Sequence, residues 1–444
     1  MTISSTPQPD GGYGWVIVFA SALTNFITLS LIQCFGLILK DTFTELHLSA
    51  MEGALIINLN GAFGMLTGPI TGVLQKVYGC RITAFGAALL LTTGMVLTSF
   101  SRSFLAIVGS YGIVTSLGMQ MSESTQRLAI NLYFKKKRSL VTGFVMTVAG
   151  FGPILIPQLI GILLKVYSTE EVILLYGGMC AHIFVAAALL QPVEWHVEGK
   201  GTREEKIELK ELGSTDEEEK KSFCASVLET VARIFDLDLL KDPVFDNILA
   251  GLALASFAEL NFTLLIPFIL HDYDLTTDQI ATFLSTLGVA DMISRFLSPY
   301  VGNYFKKPSR LMFAYSLVIL MIIKFTIILF DNYYVLLIIG FTLGMAKGIR
   351  KVYMWLVIPD YVSLEKLPSA AGMDMLARGC CILIGGPILG VLRDATGSYT
   401  ICIIVMNCIT ITTILMWATE AIIKRFKRRN LEFESEVEGM SSGK

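Results

Sequence analysis

The sequence predicts an all-α membrane protein with twelve transmembrane helices in two six-helix halves, and three observations carry that prediction. Of 444 residues, 53% are apolar and only 16% are charged, with a mean hydropathy of +0.63. A water-soluble chain of this length needs more polar surface. Twelve apolar runs approach the ~20 residues a helix needs to cross the hydrocarbon core. A polar stretch parts them six and six, and the two sets repeat one another.

The first six runs lie near 14–39, 52–75, 82–101, 104–133, 139–165 and 171–191. The second six lie near 244–270, 279–304, 309–331, 334–359, 367–392 and 398–423. The chain therefore divides into a tail (1–13), a six-helix bundle (14–192), a polar linker (193–243), a second bundle (244–423) and a second tail (424–444). Within the linker, REEKIELKELGSTDEEEKK (203–221) reads as a solvated flexible segment. FCASVLETVARIFDLDLLKD (223–242) has helical apolar spacing and is expected to lie along the membrane face.

Matching features recur at counterpart positions. Gly152-Pro153-Ile154-Leu155 in the fifth run is echoed by Gly386-Pro387-Ile388-Leu389 in the eleventh. Pro69 and Gly72 precede KVYGCR in the first half, and Pro299 and Gly302 precede FKKPSR in the second. Ordinary helix packing explains each glycine or proline alone, but not the shared register.

Orientation follows from lysine and arginine in short loops. KVYGCR, FKKKR (134–138), FKKPSR (305–310) and KRFKRR (424–429) fall on one side, whereas KDTFTELHLSAME and HDYDLTTD carry few basic residues beside acids. The basic side is expected to be cytoplasmic, with both termini and the linker there. The first ten residues are polar and the first apolar run is long enough to span, so no cleavable leader is expected. The basic tail is expected to lie on anionic lipid.

Composition also excludes. A net charge of −2 offers no basic footprint for nucleic acid. The eight cysteines (34, 80, 180, 224, 380, 381, 402 and 408) form no outside pairs, so no disulfide framework is expected. The four histidines have no metal-ligand spacing, and no nucleophile–base constellation points to an enzyme or a cofactor. Asn261-Phe-Thr matches a glycosylation acceptor but falls inside the seventh run.

Charges inside the apolar runs are the functional signal, because burying one in hydrocarbon costs several kcal/mol. Asp291 and Arg295 in GVADMISRF are four residues apart and share one helix face. Glu123 and Arg127 repeat that spacing in the fourth run. Glu259, in SFAELNF, has no cation nearby in sequence; such a carboxylate is a proton-carrier candidate, or a protonated structural group. Lys347, Arg350 and Lys351 cluster in MAKGIRKVYMW and either line the interior or snorkel to the cytoplasmic end. Asp374 and Arg378 lie in the eleventh run. Cations outnumber anions, which favours an anionic or zwitterionic solute. Arg295 is the first choice for gripping a carboxylate, because guanidinium does so bidentately.

Two segments resemble the signature motifs of the monocarboxylate transporter family (solute carrier family 16), a branch of the major facilitator superfamily. They are Asp10-Gly11-Gly12-Tyr13-Gly14-Trp15, and Tyr133-Phe134-Lys135-Lys136-Lys137-Arg138 running on to Gly143. GVADMISRF resembles that family's helix-8 Asp-Arg motif, and GGPILGVLRDATGSY its helix 11–12 junction. The likeness runs from about 8 to 425.

The resemblance implies a major facilitator superfamily fold whose halves rock around a midplane site. It also implies a plasma-membrane carrier of monocarboxylates, often a proton symporter. Asp291 and Arg295 match the family's proton- and carboxylate-handling pair, and Arg138 matches a basic position of the second motif. The remaining solute contacts depart. Gln33 stands at the helix-1 lysine position, Leu29 at a tyrosine, Thr142 at an asparagine, Val352 at a serine and Trp355 at a phenylalanine. Val148 replaces a usual glycine. Lactate specificity does not carry over, and Gln33 cannot carry a proton.

Two readings follow. The first is a carrier of small organic anions, monocarboxylate-type, by alternating access, either driven by a proton as co-substrate or running as a uniporter. The second is a pH-independent facilitator of a zwitterionic or amphipathic solute such as an aromatic amino acid, creatine or carnitine, with Trp355 stacking on a ring or cation. A non-transporting receptor is a third, disfavoured because the paired charges would then be buried without use. Some family members need a single-span immunoglobulin-type ancillary protein; no motif here decides that.

Overall fold

The computed structural model describes residues 8–47, 50–196, 235–396 and 399–441. Most of the linker, including residues 203–221 and the larger part of the segment expected to lie along the membrane, falls outside these. Its last residues form a short 3-10 turn, Leu237–Lys241.

The described chain is helical throughout. We label the main helices α1 (Gly14–Ile38), α2 (Ala50–Leu66), α3 (Gly68–Ser99), α4 (Phe104–Tyr133), α5 (Arg138–Leu163) and α6 (Thr169–Leu189). They continue as α7 (Pro243–His271), α8 (Thr277–Phe305), α9 (Ser309–Leu329), α10 (Tyr333–Tyr361), α11 (Leu367–Thr396) and α12 (Tyr399–Ser441). Among the described residues, ten helices are long and apolar enough to cross a membrane. The other two expected crossings correspond to α2 continued by the start of α3, and to the charge-bearing α10.

Local chemistry sets the helix ends. Ser168 and Thr276 start α6 and α8 by the same device. Each hydroxyl accepts from the backbone N–H three residues on, and Glu171 or Gln279 accepts in return from the cap N–H. The expected connection at 76–81 is reduced to a single residue: two helical stretches meet at Gly79 (φ 78, ψ 171), and the chain also breaks at Thr67, before Pro69. Proline fits the first turn of a new helix, and only glycine takes the Gly79 conformation without strain. The expected C-terminal tail is helical as far as Ser441, as a continuation of α12.

The chain forms two compact units: Met1–Leu239 with Tyr361–Leu376, and Leu240–Asp360 with Ala377–Lys444. In the first, α1 packs chiefly on α5 and also on α4 and α6, while α3 packs on α4 and α6. A Cβ at Gly152 would collide with Phe26 O and Ser30 Oγ, so glycine lets α5 approach the backbone of α1. Leu31, Phe35, Leu91, Tyr111, Ile160 and Tyr176 form the core there. In the second unit α12 packs on α7 and α9, around Phe257, Phe262, Phe283, Leu320, Leu343 and Met406. Large apolar side chains such as Phe19, Leu89, Leu105, Ile162, Leu329 and Ile388 face outward. In water this would be an aggregation surface; against lipid it is the expected exterior.

Candidate functional site

In the first unit the two signature segments dock on each other. Asp10 has φ 50 and Gly12 φ 58, a tight turn that aims the Asp10 carboxylate at the start of α5. Its Oδ1 accepts from the backbone N–H groups of Lys135 (2.8 Å), Lys136 (2.8 Å) and Lys137 (3.2 Å). The Asp10 N–H donates to Tyr133 O at 3.0 Å. These N–H groups precede the helix and would otherwise lack helical partners, and the helix dipole also favours an anion here. Burial raises the Asp10 carboxyl, but the Lys137, Lys135 and Lys136 N–H groups outweigh it and hold it below its ordinary 3.8.

Tight packing completes this junction. Trp15 meets Phe134 edge-on with centroids 5.9 Å apart, and a side chain at Gly14 would strike the Phe134 ring at 2.7 Å. Tyr13 and Tyr133 donate to Leu189 O (3.1 Å) and Gln191 O (2.9 Å). Arg138 is buried, its Nε donating to Phe134 O at 3.2 Å. A Cβ at Gly11 would meet only Pro9 O, at an ordinary 4.0 Å, and Gly143 lies within α5, its carbonyl accepting from Thr147. The motif residues thus form a fold junction.

Other expected residues of this unit divide by burial. Leu29 is half-buried and Gln33 exposed, one turn apart on α1, whereas Thr142 is buried on α5. Glu123 and Arg127 form the ion pair their spacing predicts, at 3.1 Å.

The second unit holds a denser charge cluster, and glycine positions it. Gly344 and Gly348 of α10 face Leu287 O and Ala290 Cβ, and Asp291 O and Ser294 Oγ, of α8. A Cβ at either would collide, so the small-xxx-small stripe brings the charged part of α10 against the Asp291 turn. Tyr353 locks the next turn by donating to Ser298 O at 3.0 Å.

Arg295 grips Asp291 through two contacts, Nε to Oδ1 at 3.0 Å and NH2 to Oδ2. Both side chains are largely buried. The sequence pairing is therefore present, and Arg295 is engaged by its own helix.

Glu259 has no cation near it in sequence but two in space, so it is not a lone carboxylate: Lys324 Nζ of α9 lies 3.0 Å from Oε2, and Lys347 Nζ of α10 lies 3.3 Å from Oε1. Lys324 is 2% exposed and sits 4.5 Å from the Phe262 ring centre. Lys347 also donates to Thr263 Oγ1 at 2.8 Å, so it reaches into the bundle and does not snorkel to the helix end. Arg350 is buried too. Lys324 escaped the sequence reading although its signal was plain: a single lysine inside LVILMIIKFTIILF.

Val352 and Trp355 are buried on the same helix. Asp374 and Arg378 are both buried on α11, Asp374 in the first unit and Arg378 in the second. Among the described residues no cluster of histidine, cysteine or acidic side chains could hold a metal.

Among the described residues, ten helices are long and apolar enough to span, and several carry ion pairs, which defines a multi-pass membrane protein. The Major Facilitator Superfamily profile matches residues 15–386, and the chain belongs to that superfamily. It is 28% identical to monocarboxylate transporter 2 of Mesocricetus auratus, over 88% of this chain and 80% of that one. It is 26% identical to monocarboxylate transporter 6 of Mus musculus, over 88% and 83%. A crystal structure of the transporter FucP in the outward conformation superposes with a TM-score of 0.62 at 16% identity, covering 91% of this chain and 98% of that one. The fold is thus that of the superfamily, two six-helix halves. The protein is a transporter of a small molecule, homologous to monocarboxylate transporters, and not an enzyme.

Proposed function

We propose that the protein carries small organic anions of the monocarboxylate type across the plasma membrane by alternating access, with both termini cytoplasmic. One observation carries the reading: the buried cluster of the second unit sets Arg295, Lys324, Lys347 and Arg350 against Glu259 and Asp291. Uncompensated positive charge in a low-dielectric interior draws an anion. The homology to monocarboxylate transporters supports the same class.

A pH-independent mode is the second reading, and a specific observation favours it. Glu259 is held between two lysines, so it is not the free carboxylate a proton carrier needs, and Gln33 stands at the family's helix-1 lysine position. Asp291, the other acid of the cluster, is likewise engaged, by Arg295. The cytoplasmic orientation rests on the basic loops.

The test is uptake of labelled lactate, pyruvate, butyrate, an aromatic amino acid, creatine and carnitine, at mildly acid and at neutral external pH. Carboxylate uptake that rises in acid supports proton coupling, and carboxylate uptake indifferent to pH supports the second mode. Uptake restricted to the zwitterions would overturn the organic-anion reading.

A further inference from the structure

Arg350 is the cation of this cluster that makes no direct ion pair among the described residues. Its side chain is 8% exposed. Its Nε has no hydrogen-bond partner, and NH1 contacts only the Met354 sulfur, at 3.7 Å. Among the described residues it has no carboxylate partner. Glu259 and Asp291 act on it electrostatically, but Arg295 and Arg378 oppose them. Both nearby acids are already engaged, Asp291 by Arg295 and Glu259 by Lys324 and Lys347.

A second donor converges on the same place. Ser256 Oγ of α7 lies 3.5 Å from the Met354 sulfur and 2.7 Å from Leu252 O. A guanidinium and a hydroxyl therefore both approach one thioether, a weak acceptor. A carboxylate in place of that sulfur would accept from both, and its bonds to Arg350 would be charge-assisted.

We propose that Arg350, assisted by Ser256, takes the solute's carboxylate, with the Met354 thioether holding the place when no solute is bound. The proposal rests on the organic-anion reading and moves the grip from Arg295, the choice from sequence, to α10. Arg295 then serves as the counter-charge that holds Asp291 in position. A buried guanidinium without an anion is a liability for the empty protein, retained because binding needs it.

The two arginines are distinguished by the sign of their effect on stability. The experiment is thermal unfolding of the purified full chain in detergent, with and without lactate, pyruvate, butyrate or carnitine, for wild type, Arg350→Gln, Arg295→Gln and Ser256→Ala. For Arg350→Gln the expected result is an unliganded Tm equal to or above that of wild type, and no upward shift with carboxylate. Arg295→Gln is expected to lower the unliganded Tm, because it strands Asp291. In uptake, Arg350→Gln is expected to raise the apparent KM about ten- to a hundredfold, the worth of one charged hydrogen-bonded pair. Ser256→Ala is expected to raise it several-fold at unchanged surface level.

A carboxylate-induced Tm shift that survives Arg350→Gln would overturn the assignment and leave the organic-anion reading standing. A lowered unliganded Tm in that variant would also overturn it, since it would make Arg350 a structural partner. A wild-type protein stabilised by zwitterionic carnitine and by none of the anions lactate, pyruvate and butyrate would overturn the underlying reading itself.

Discussion

At the end of the first unit one carboxylate, Asp10, answers three backbone N–H groups; inside the second unit two carboxylates answer four cations, Lys347 partly buried and the other three buried. In the first region every partner is fixed backbone, and the geometry joins the chain's start to the head of α5. In the second every partner is a side chain that can exchange, and positive charge is left over. The comparison separates the motif that makes the family recognisable from the residues that give this chain its chemistry. Asp10, Gly14, Trp15, Tyr133 and Phe134 build a junction. Glu259, Lys324, Lys347 and Arg350 form the charged interior on which the proposed anion recognition rests.

The largest test of this contrast is Glu259→Gln, which leaves Lys324 and Lys347 facing each other without an acid. Breaking a buried ion pair by removing one partner costs about 3–5 kcal/mol. The variant should show a large fall in thermal stability and in surface level. Restoring stability by adding Lys324→Met would show that the penalty is the stranded charge. An unaltered Tm in the single variant would mean the trio is not a coupled unit.

Next is Gly348→Ala, which places a methyl group against Asp291 O and Ser294 Oγ. Overpacking of this kind costs roughly 1–3 kcal/mol, and it would push the charged part of α10 off α8. Uptake should fall more than surface level does. Equal falls would mean that the close approach serves stability alone.

The smallest expected effect lies in the junction. Asp10→Ala removes a helix-end acceptor and should cost about 1 kcal/mol, as loss of a helix cap does, without changing the apparent KM for any solute. A changed KM would break the separation between junction and site. The pH dependence has a definite sign. The folded Asp10 carboxyl lies below its ordinary 3.8, so its contribution is fully present above that value and is lost as pH falls through the lower folded value. The stability gap between wild type and Asp10→Asn should therefore narrow only below about pH 4.

The parts legible in sequence were those whose physics is local. Apolar run length located the crossings, because a membrane dictates span length directly. The Asp291–Arg295 and Glu123–Arg127 pairs were readable because four residues is one helical turn. What escaped was tertiary. Glu259 read as solitary because its partners are 65 and 88 positions away, on α9 and α10. Lys347 read equally well as a snorkelling residue, since only the Gly344–Gly348 approach to α8 settles where that stretch of α10 lies. The break before Pro69 was visible as a proline, and the connection at 76–81 was visible as a basic, glycine-bearing stretch; what escaped was its tightness, a turn made by Gly79 alone at φ 78.

The central claim is that the second unit's surplus charge recognises a negatively charged solute. The most direct measurement is competition: saturable uptake of labelled butyrate challenged by unlabelled butyrate and by butyramide, its uncharged counterpart of nearly the same shape. The account predicts that butyrate competes and butyramide does not. Equal competition by the amide would contradict it, because shape and not charge would then be what the site reads.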